Sequence, residues 1–326
     1  MQTDSRYARQ LQLSEIGIEG QAKLAAARVL LLGVGGLGCT VATQLVSAGV
    51  GELVLVDHDT IDQTNLHRQH LFRESDCGQS KAKVAQQALR ELNSSVNITA
   101  FSERILPSNI ARIGQGVDLI IDAADNFAVT YLACDFSRHS NTPMLSASVN
   151  RVYGHVGVFG GPWPSFRAVF PRLPANQQSC DSVGVTGPSV GVIASLQAQE
   201  ALKILVGQTT LGGKLLYVDC WHYNFHLLDV SNANEDAALN ISLVEPDQLS
   251  ESDYVIDVRN TAEVQTSPQP FHVDCYIPLD ELSQLDISGI NQRIVLACRS
   301  GQRAMLGAQT LKQRGATNIA ALLPTI

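Results

Sequence analysis

The stretch RVLLLGVGGLGC, residues 28–39, decides the fold of this chain. Its apolar run ends in the spacing Gly33-x-Gly35-x-x-Gly38, and a helical pattern follows directly. A strand that turns through glycines into a helix N-terminus directs backbone N–H groups and the positive end of the helix dipole at one point. No side chain blocks a phosphate there. The stretch therefore predicts a nucleotide site, but it leaves the nucleotide chemistry open.

Strand-like and helix-like patterns alternate over the first two thirds of the chain. After a predicted helical arm at 4–26, apolar runs predict strands at 28–33, 52–57, 96–101, 117–122 and 143–149. Helices are predicted between them at about 36–48, 79–92, 108–113 and 126–140. Antiparallel additions are expected from 152 onwards, with a helix at 188–206 and strands at 214–219 and 224–229. This alternation predicts βαβ units in a Rossmann-like, mostly parallel sheet.

A second, smaller α/β unit is predicted after a polar linker. The segment SNANEDAA is small and polar, and it divides the chain into domains at 1–230 and 241–326 with a linker at 231–240. Buried-strand runs lie at 254–258 and 293–297, and a helix is predicted at about 301–314. The predicted fold class is therefore α/β in both parts.

The composition argues against several classes of protein. The chain has 326 residues and a formal net charge of −8, which argues against a nucleic-acid partner. No apolar run approaches the roughly 20 residues of a membrane span. The start, MQTDSR, lacks a signal-peptide pattern, and the seven cysteines never form a C-x-x-C pair. We therefore expect a cytoplasmic protein without a disulfide framework and without a membrane partner.

Polar residues that follow the second strand indicate which nucleotide chemistry to expect. Asp57 ends that strand, where an acid accepts hydrogen bonds from ribose hydroxyls. A NAD-dependent dehydrogenase would have the same pattern up to this point. The segment NLHRQ, which contains Arg68, and the later Lys81 then supply the two cations that a polyphosphate needs.

Two carboxylates close the fourth predicted strand. Asp122 and Asp125 lie near the carboxyl edge of the sheet, where open α/β sheets bind ligands. A carboxylate among phosphate-binding cations indicates Mg²⁺ rather than hydride transfer. Asp122 could equally cap the strand end.

The combination of these motifs resembles the MoeB/ThiF family, the bacterial relatives of ubiquitin-activating enzymes. The resemblance covers roughly 4–229 and includes the further motifs RYARQ at 6–10 and GQSK at 78–81. It implies ATP-dependent adenylation of the C-terminal Gly-Gly carboxylate of a ubiquitin-like sulfur carrier of the MoaD or ThiS type. It also implies a homodimer in which Arg9 reaches the ATP of the other subunit.

The same resemblance implies the site residues. Asp57 would hold the ribose, Arg68 and Lys81 the phosphates, and Asp125 the Mg²⁺ that accompanies ATP. The implied nucleotide-binding residues are Gly33, Gly35, Gly36, Gly38, Asp57, Asp59, Asn65, Arg68, Gln69, Lys81, Asp125 and Asn126. Arg9, Arg68, Lys81 and the metal would neutralise the charge that shifts when a carboxylate attacks the α-phosphate.

Two cysteines are candidates for sulfur chemistry. Cys180 precedes the helix at 188–206, and some members of the family link a cysteine of the matching loop to the carrier. Cys298 lies between a buried strand and a helix, in a loop that resembles the active loop of rhodanese-type sulfurtransferases. That resemblance implies a persulfide on Cys298, supported by a loop of Arg299, Ser300, Gly301 and Arg303, and a sulfur donor such as a cysteine desulfurase.

The chain also departs from both families. Where family members commonly hold zinc with two C-x-x-C pairs, it has SFRA at 165–168 and no second pair after Leu228, so zinc is expected to be absent. The rhodanese-like part is shortened around 271–277, and at 322–326 we expect it to lack the closing glycine-rich strand and helix that are usual in that family. Adenylation is therefore more firmly predicted than sulfur transfer.

The predicted function is carrier adenylation followed by sulfur transfer from Cys298, in molybdopterin or thiamin biosynthesis. Two alternatives stay open. A NAD-dependent Rossmann oxidoreductase would explain the glycines and Asp57, but it would not explain Lys81 or the cysteine loop. A non-catalytic scaffold of the same family is favoured by the missing zinc ligands and the shortened second domain.

Overall fold

The computed structural model describes residues 5–173, 184–235 and 240–323, and Cys180 lies outside these ranges. The described residues form two sheets with helices packed on them. The strands of the first sheet are β1 (Arg28–Leu32), β2 (Glu52–Val56), β3 (Asn97–Phe101), β4 (Leu119–Asp122), β5 (Met144–Asn150), β6 (Tyr153–Phe159), β7 (Lys214–Asp219) and β8 (Asn224–Asp229). The second sheet consists of β9 (Ser242–Val244), β10 (Tyr254–Asp257), β11 (Cys275–Tyr276), β12 (Ile294–Ala297) and β13 (Ile319–Leu322).

The helices alternate with these strands much as the pattern predicts. They are α1 (Ala8–Leu11), α2 (Gly17–Ala26), α3 (Gly36–Ala48), α4 (Lys81–Leu92), α5 (Ile110–Ile113), α6 (Phe127–Ser140), α7 (Phe166–Val169), α8 (Gly187–Val206), α9 (Thr261–Thr266) and α10 (Gln302–Gln313). Short 3-10 turns lie at Ser5–Tyr7, Gln63–Asn65, Glu74–Asp76, Pro246–Gln248 and Leu282–Gln284.

The first sheet has the strand order β3-β2-β1-β4-β5-β6-β7-β8. The pairs from β3 to β5 are parallel, and those from β5 to β8 are antiparallel. Strand β1 is central and apolar on both faces because helices cover both sides of a parallel sheet. The predicted mostly parallel sheet with antiparallel additions is therefore confirmed.

The order of the strands places the candidate residues at one edge. In the parallel register Leu32 of β1 lies opposite Val56 of β2 and Asp122 of β4. The residues that follow these three strand ends therefore share the carboxyl edge of the sheet. The order along the sheet also reverses between β1 and β4, which is where ligands bind in such folds.

The second sheet has the order β11-β10-β12-β13-β9, and all its pairs are parallel. One cluster of buried apolar side chains joins it to the first sheet, because Tyr131 and Phe166 share that cluster with Ile256, Cys298 and Met305. The two sheets are therefore joined by apolar packing as well as by the connecting chain.

Two expectations about the ends of these units are wrong. The predicted arm at 4–26 is interrupted between α1 and α2, where Gly17 has a φ of +56° and starts a new helix. A strand does follow the last helix, because β13 pairs with β12 and β9 in the interior of the second sheet. This strand escaped prediction because four apolar residues after a turn give no alternation.

Hydrogen bonds and an ion pair hold the segment at 165–168. The Ser165 hydroxyl donates to Glu235 Oε2 at 2.7 Å and caps α7 by accepting from the Ala168 amide. The Arg167 side chain is 1% exposed, pairs with Asp135 at 2.7 Å and lies 4.4 Å from the centre of the Tyr131 ring. A hydroxyl and a buried guanidinium are not zinc ligands, so these residues do not fit a zinc ion.

Strand β8 forms one end of the first sheet and is exposed at every position. Apolar side chains are concentrated on and beside it, with exposures of 66% for Trp221, 83% for Tyr223 and 55% for Phe225. Contrary to the expectation that no apolar run approaches the length of a membrane span, α8 is the one described helix with the length and composition of such a span, and half of its apolar window is buried inside the protein.

Candidate active site

A cavity of about 570 Å³ opens at the carboxyl edge of the first sheet. Its lining includes most of the predicted nucleotide-binding residues, namely Gly33, Gly35, Gly36, Asp57, Asp59, Asn65, Arg68, Gln69, Lys81, Asp125 and Asn126. This volume lies in the range of ordinary small-molecule sites. The structure therefore brings together residues that are up to 93 positions apart in the sequence.

Close packing requires glycine at two positions of this turn. Gly33 has a φ of +88°, and a Cβ there would lie 2.8 Å from the Ala123 carbonyl oxygen. A Cβ on Gly38 would lie 2.0 Å from the carbonyl oxygen of Gly33. Gly35 is the N-cap of α3 and lines the cavity, so the helix N-terminus is open to an anion.

Asp57 supports this turn from the end of β2. Its carboxylate accepts from the amides of Val34 at 2.7 Å and Asp59 at 2.8 Å. Burial raises the pKa of Asp57, although nearby Lys81 acts in the opposite direction. Asp57 therefore orders the glycine turn, a role that the sequence pattern did not reveal, while it also lines the cavity.

Lys81 is a buried cation at the start of α4. It is 6% exposed, and its Nζ lies 3.0 Å from Asp59 Oδ2. Burial acts to lower the pKa of Lys81, but Asp57 and Asp59 outweigh it and raise that pKa. The amine is therefore held charged beside the cavity.

Two neighbouring residues of the 65–69 segment complete this wall. Arg68 donates to the Thr64 carbonyl at 3.3 Å and contacts His67 Nε2 at 2.8 Å. Gln69 is 3% exposed, and its Oε1 has no hydrogen-bond partner among the described residues. A buried amide oxygen without a partner is costly, so this acceptor in the wall of the cavity is available to a donor group.

The two carboxylates after β4 have different environments. Asp122 is 1% exposed and accepts from the Ser146 hydroxyl at 2.8 Å, and burial raises its pKa to about 6. Asp122 does not line the cavity, and its carboxylate instead bonds within the protein at the end of β4. Asp125 is exposed, lines the cavity and contributes to raising the pKa of Lys81. Of the two carboxylates, Asp125 is therefore the one that lines the cavity.

Asn126 uses its side chain within the protein. Its Oδ1 caps α6 by accepting from the Ala128 amide at 2.9 Å, and its Nδ2 donates to the Ser300 carbonyl at 3.0 Å. The residue lines the cavity but shapes it mainly through these two bonds. Arg9 is exposed on α1 and does not line this cavity.

Cys298 follows β12 in the second sheet. Its Sγ accepts from the amides of Gly301 at 3.1 Å and Ala304 at 3.4 Å, and the residue is 1% exposed. Amides that converge on a sulfur stabilise a thiolate.

Arg303 does not serve as a donor to this sulfur in the structure, because it forms a bidentate pair with Glu263 at 2.7 Å that lowers the pKa of Glu263 to about 2. Arg299 is exposed.

Comparisons with known proteins agree with this geometry. The family model described as the ThiF family matches residues 7–239. Adenylyltransferase and sulfurtransferase MOCS3 of Drosophila persimilis is 32% identical over 95% of this chain and 79% of its own length. The protein of the same name from Bos taurus is 40% identical over 72% of this chain and 52% of its own length.

Solved structures share the fold. Escherichia coli MccB with ATP has a TM-score of 0.63 and 24% identity over 72% of this chain and 73% of that chain. PaaA has a TM-score of 0.61 and 21% identity over 69% of this chain and 72% of that chain. At these identities the likeness concerns the fold alone.

The predicted family and the predicted enzyme class, an adenylyltransferase, are therefore confirmed. The alternative of a NAD-dependent oxidoreductase loses its support. The matched region contains the glycine turn, Arg68, Lys81 and Asp125, all of which line the cavity. The chain belongs to the ThiF family.

Proposed function

We propose that this protein uses ATP and Mg²⁺ to adenylate the C-terminal Gly-Gly carboxylate of a ubiquitin-like sulfur carrier. One observation carries the proposal: the open helix N-terminus after the glycine turn, the buried Lys81, Arg68 and the exposed Asp125 all line one cavity. Such a set of groups suits a nucleoside triphosphate with its metal ion. The names of the relatives, adenylyltransferase and sulfurtransferase, support the same reaction.

The mechanism follows from the charges at the cavity. An oxygen of the carrier carboxylate attacks the α-phosphorus of ATP, an acyl-phosphate bond forms, and pyrophosphate leaves. Lys81 and Arg68 would stabilise negative charge on the phosphates as it moves toward the leaving group. Asp125 would hold Mg²⁺, which supplies further charge neutralisation on the phosphates. The unpartnered Gln69 Oε1 would accept a hydrogen bond from the nucleotide.

The second sheet would supply the sulfur. The terminal sulfur of a Cys298 persulfide attacks the acyl carbon of the adenylate, and AMP leaves. A second thiol then attacks the remaining S–S bond, which releases the carrier thiocarboxylate and leaves a protein disulfide. Cys180 is the candidate for this thiol. The amides of Gly301 and Ala304 beside the Cys298 sulfur support its thiolate and persulfide forms.

We further propose a homodimer in a cytoplasmic setting, with the exposed apolar side chains around β8 covered by a second copy. An exposed edge strand that carries Phe225 and is preceded by exposed Trp221 and Tyr223 is otherwise an aggregation hazard. The exposed position of Arg9, away from the cavity of its own chain, agrees with a role in the partner's site.

The first experiment is carrier-dependent exchange of labelled pyrophosphate into ATP, with a MoaD-type and a ThiS-type carrier tested side by side. Exchange with one carrier establishes adenylation and distinguishes the molybdopterin from the thiamin pathway. No exchange with either carrier would contradict the proposal, whether or not the protein binds ATP.

A non-catalytic role for the second sheet is a specific second candidate, because Cys298 is only 1% exposed and Arg303 is engaged by Glu263. A persulfide donor such as a cysteine desulfurase distinguishes the two. Labelled sulfur that reaches Cys298 and then the carrier supports transfer, whereas adenylation without any labelling of Cys298 supports docking alone.

A further inference from the structure

The loop that follows Cys298 contacts the nucleotide cavity of the first sheet. Asn126 Nδ2 donates to the Ser300 carbonyl at 3.0 Å, and Gln302 Nε2 donates to the Asp125 carbonyl at 3.2 Å. Gly301 packs against the first turn of α6, since a Cβ built on it would lie 3.4 Å from the Cβ of Ala128. The two segments are therefore held together by two hydrogen bonds and by apolar contact.

Residues next to the strands of the second sheet also line the nucleotide cavity. Ser300, Gln302 and Leu323 line the same cavity as the glycine turn and Lys81. They come from the loop before α10, from the first residue of α10 and from the residue after β13. One wall of the cavity is thus built from residues of the second part of the chain.

The two hydrogen bonds also fix the position of the metal-binding candidate. Gln302 holds the backbone carbonyl of Asp125, while the Asp125 carboxylate is exposed at the cavity. Asn126 is fixed on one side by its helix cap and on the other by Ser300. A ligand that uses Asp125 and this wall binds the docked arrangement more tightly than an undocked one.

We propose that Gln302 is a positioning residue of the nucleotide site and that bound nucleotide in turn keeps the Cys298 loop docked. In the docked loop Cys298 is almost fully enclosed, so nucleotide occupancy limits the access of reagents to its sulfur. This inference rests on the proposed function in that the nucleotide is ATP. The two effects are reciprocal, because a coupling between two sites has the same magnitude in both directions.

The test uses the full-length protein with two matched variants on one helix. Gln302→Met keeps the side-chain length but removes the donor to Asp125. Gln309→Met is the control, because Gln309 also bonds across the two parts, accepting from the Leu173 amide at 2.7 Å, but does not line the cavity. Thermal melting checks that both variants are folded. The dissociation constant of Mg-ATP is measured by calorimetry, the ATP KM and kcat by exchange, and the alkylation rate of Cys298 by peptide mapping after iodoacetamide treatment.

Loss of one neutral hydrogen bond predicts an ATP dissociation constant and KM raised about five-fold in Gln302→Met, with kcat within about two-fold of the wild type. Mg-ATP is expected to slow Cys298 alkylation in the wild type and in the Gln309 variant. In Gln302→Met we expect Mg-ATP to slow Cys298 alkylation less than in the wild type. The reduction in this slowing should match the factor by which the affinity for Mg-ATP falls.

Two results would overturn the inference. One is an ATP affinity unchanged by Gln302→Met, and the other is Cys298 alkylation that does not respond to ATP in the wild type. A wild-type protein that binds ATP but shows no carrier-dependent exchange would contradict the proposed function instead, and the affinity and alkylation measurements would still decide the inference. A protein that does not bind ATP would contradict both.

Discussion

Replacing Lys81 by methionine is the sharpest single test of the cavity's electrostatics. The side chain is 6% exposed, and its amine lies 3.0 Å from Asp59 and stabilises the charge on the buried Asp57. Methionine has nearly the same length and is equally apolar along its stem, so the change removes the charge and creates little cavity. The effect on stability is therefore electrostatic.

The size of the effect can be worked from the two partners of Lys81. The side chain of Asp59 is 51% exposed, so loss of that pair costs only about 0.5–1 kcal/mol of unfolding free energy. Asp57 is 9% exposed and would be left as a buried charge without a cation, which costs several kcal/mol in a fully buried pair. Two backbone amides still donate to Asp57. We therefore expect a total loss of about 2–3 kcal/mol at pH 8.

The pH dependence follows from the pKa of Asp57. Burial already raises that pKa above its ordinary value, and removal of Lys81 raises it further. Between the unfolded and folded pKa values the folded protein binds a proton that the unfolded chain has released. Stability then falls as the pH rises. The loss in Lys81→Met should therefore be smaller at pH 5 than at pH 8.

The assay is urea unfolding of wild type and variant at pH 5 and pH 8, with Lys83→Met as the control. Lys83 is exposed on the same helix, so its replacement should change the unfolding free energy by less than about 0.5 kcal/mol. Carrier-dependent exchange should also fall about a hundred-fold in Lys81→Met. Equal losses at both pH values, or equal losses in the two variants, would refute the electrostatic reasoning.

Three further predictions test other parts of the molecule. Asp125→Ala should lower carrier-dependent exchange by at least about a hundred-fold without changing the melting temperature, because it removes an exposed carboxylate; exchange at the wild-type rate would exclude the metal role. Cys298→Ala should leave exchange intact and abolish thiocarboxylate formation from a persulfide donor, as followed by mass spectrometry of the carrier; an unchanged yield would disprove the role of Cys298. Arg167→Met should lower the unfolding free energy by about 2–4 kcal/mol in urea, because it leaves Asp135 without its cation, and a loss below about 1 kcal/mol would show that the pair contributes little.

The sequence predicted the central strands β1, β2 and β4 of the first sheet well because these strands are almost fully buried. Apolar runs such as those of β1 and β2 are bounded by glycine or charged residues, which mark their ends clearly. Strands β9 and β11 have only three and two residues, and so short a pattern cannot be distinguished from a loop. The interruption of the first arm was missed because apolar residues continue through the turn before Gly17.

The candidate site was predictable as a set of residues but not as a set of contacts. Residue type and spacing predicted that Asp57, Arg68 and Lys81 bind a nucleotide, and all three line the same cavity. Spacing could not show that Asp57 also bonds to the glycine turn, because that depends on how two strand ends approach. Nor could it show that the loop containing Ser300 reaches the first sheet, since this contact joins segments 174 positions apart.

The cluster of buried side chains shared by the two sheets has a consequence for how this protein can be divided. Two domains joined only by a linker can be separated by cleaving that linker, and each domain keeps its own hydrophobic core. Here Phe166 on one side and Met305 on the other lie in the same interior, so each separated half would expose part of it to water. The chain should therefore melt in one cooperative step. If the two halves were produced as separate chains, we would expect them to associate through this shared interior rather than to fold as two independent proteins.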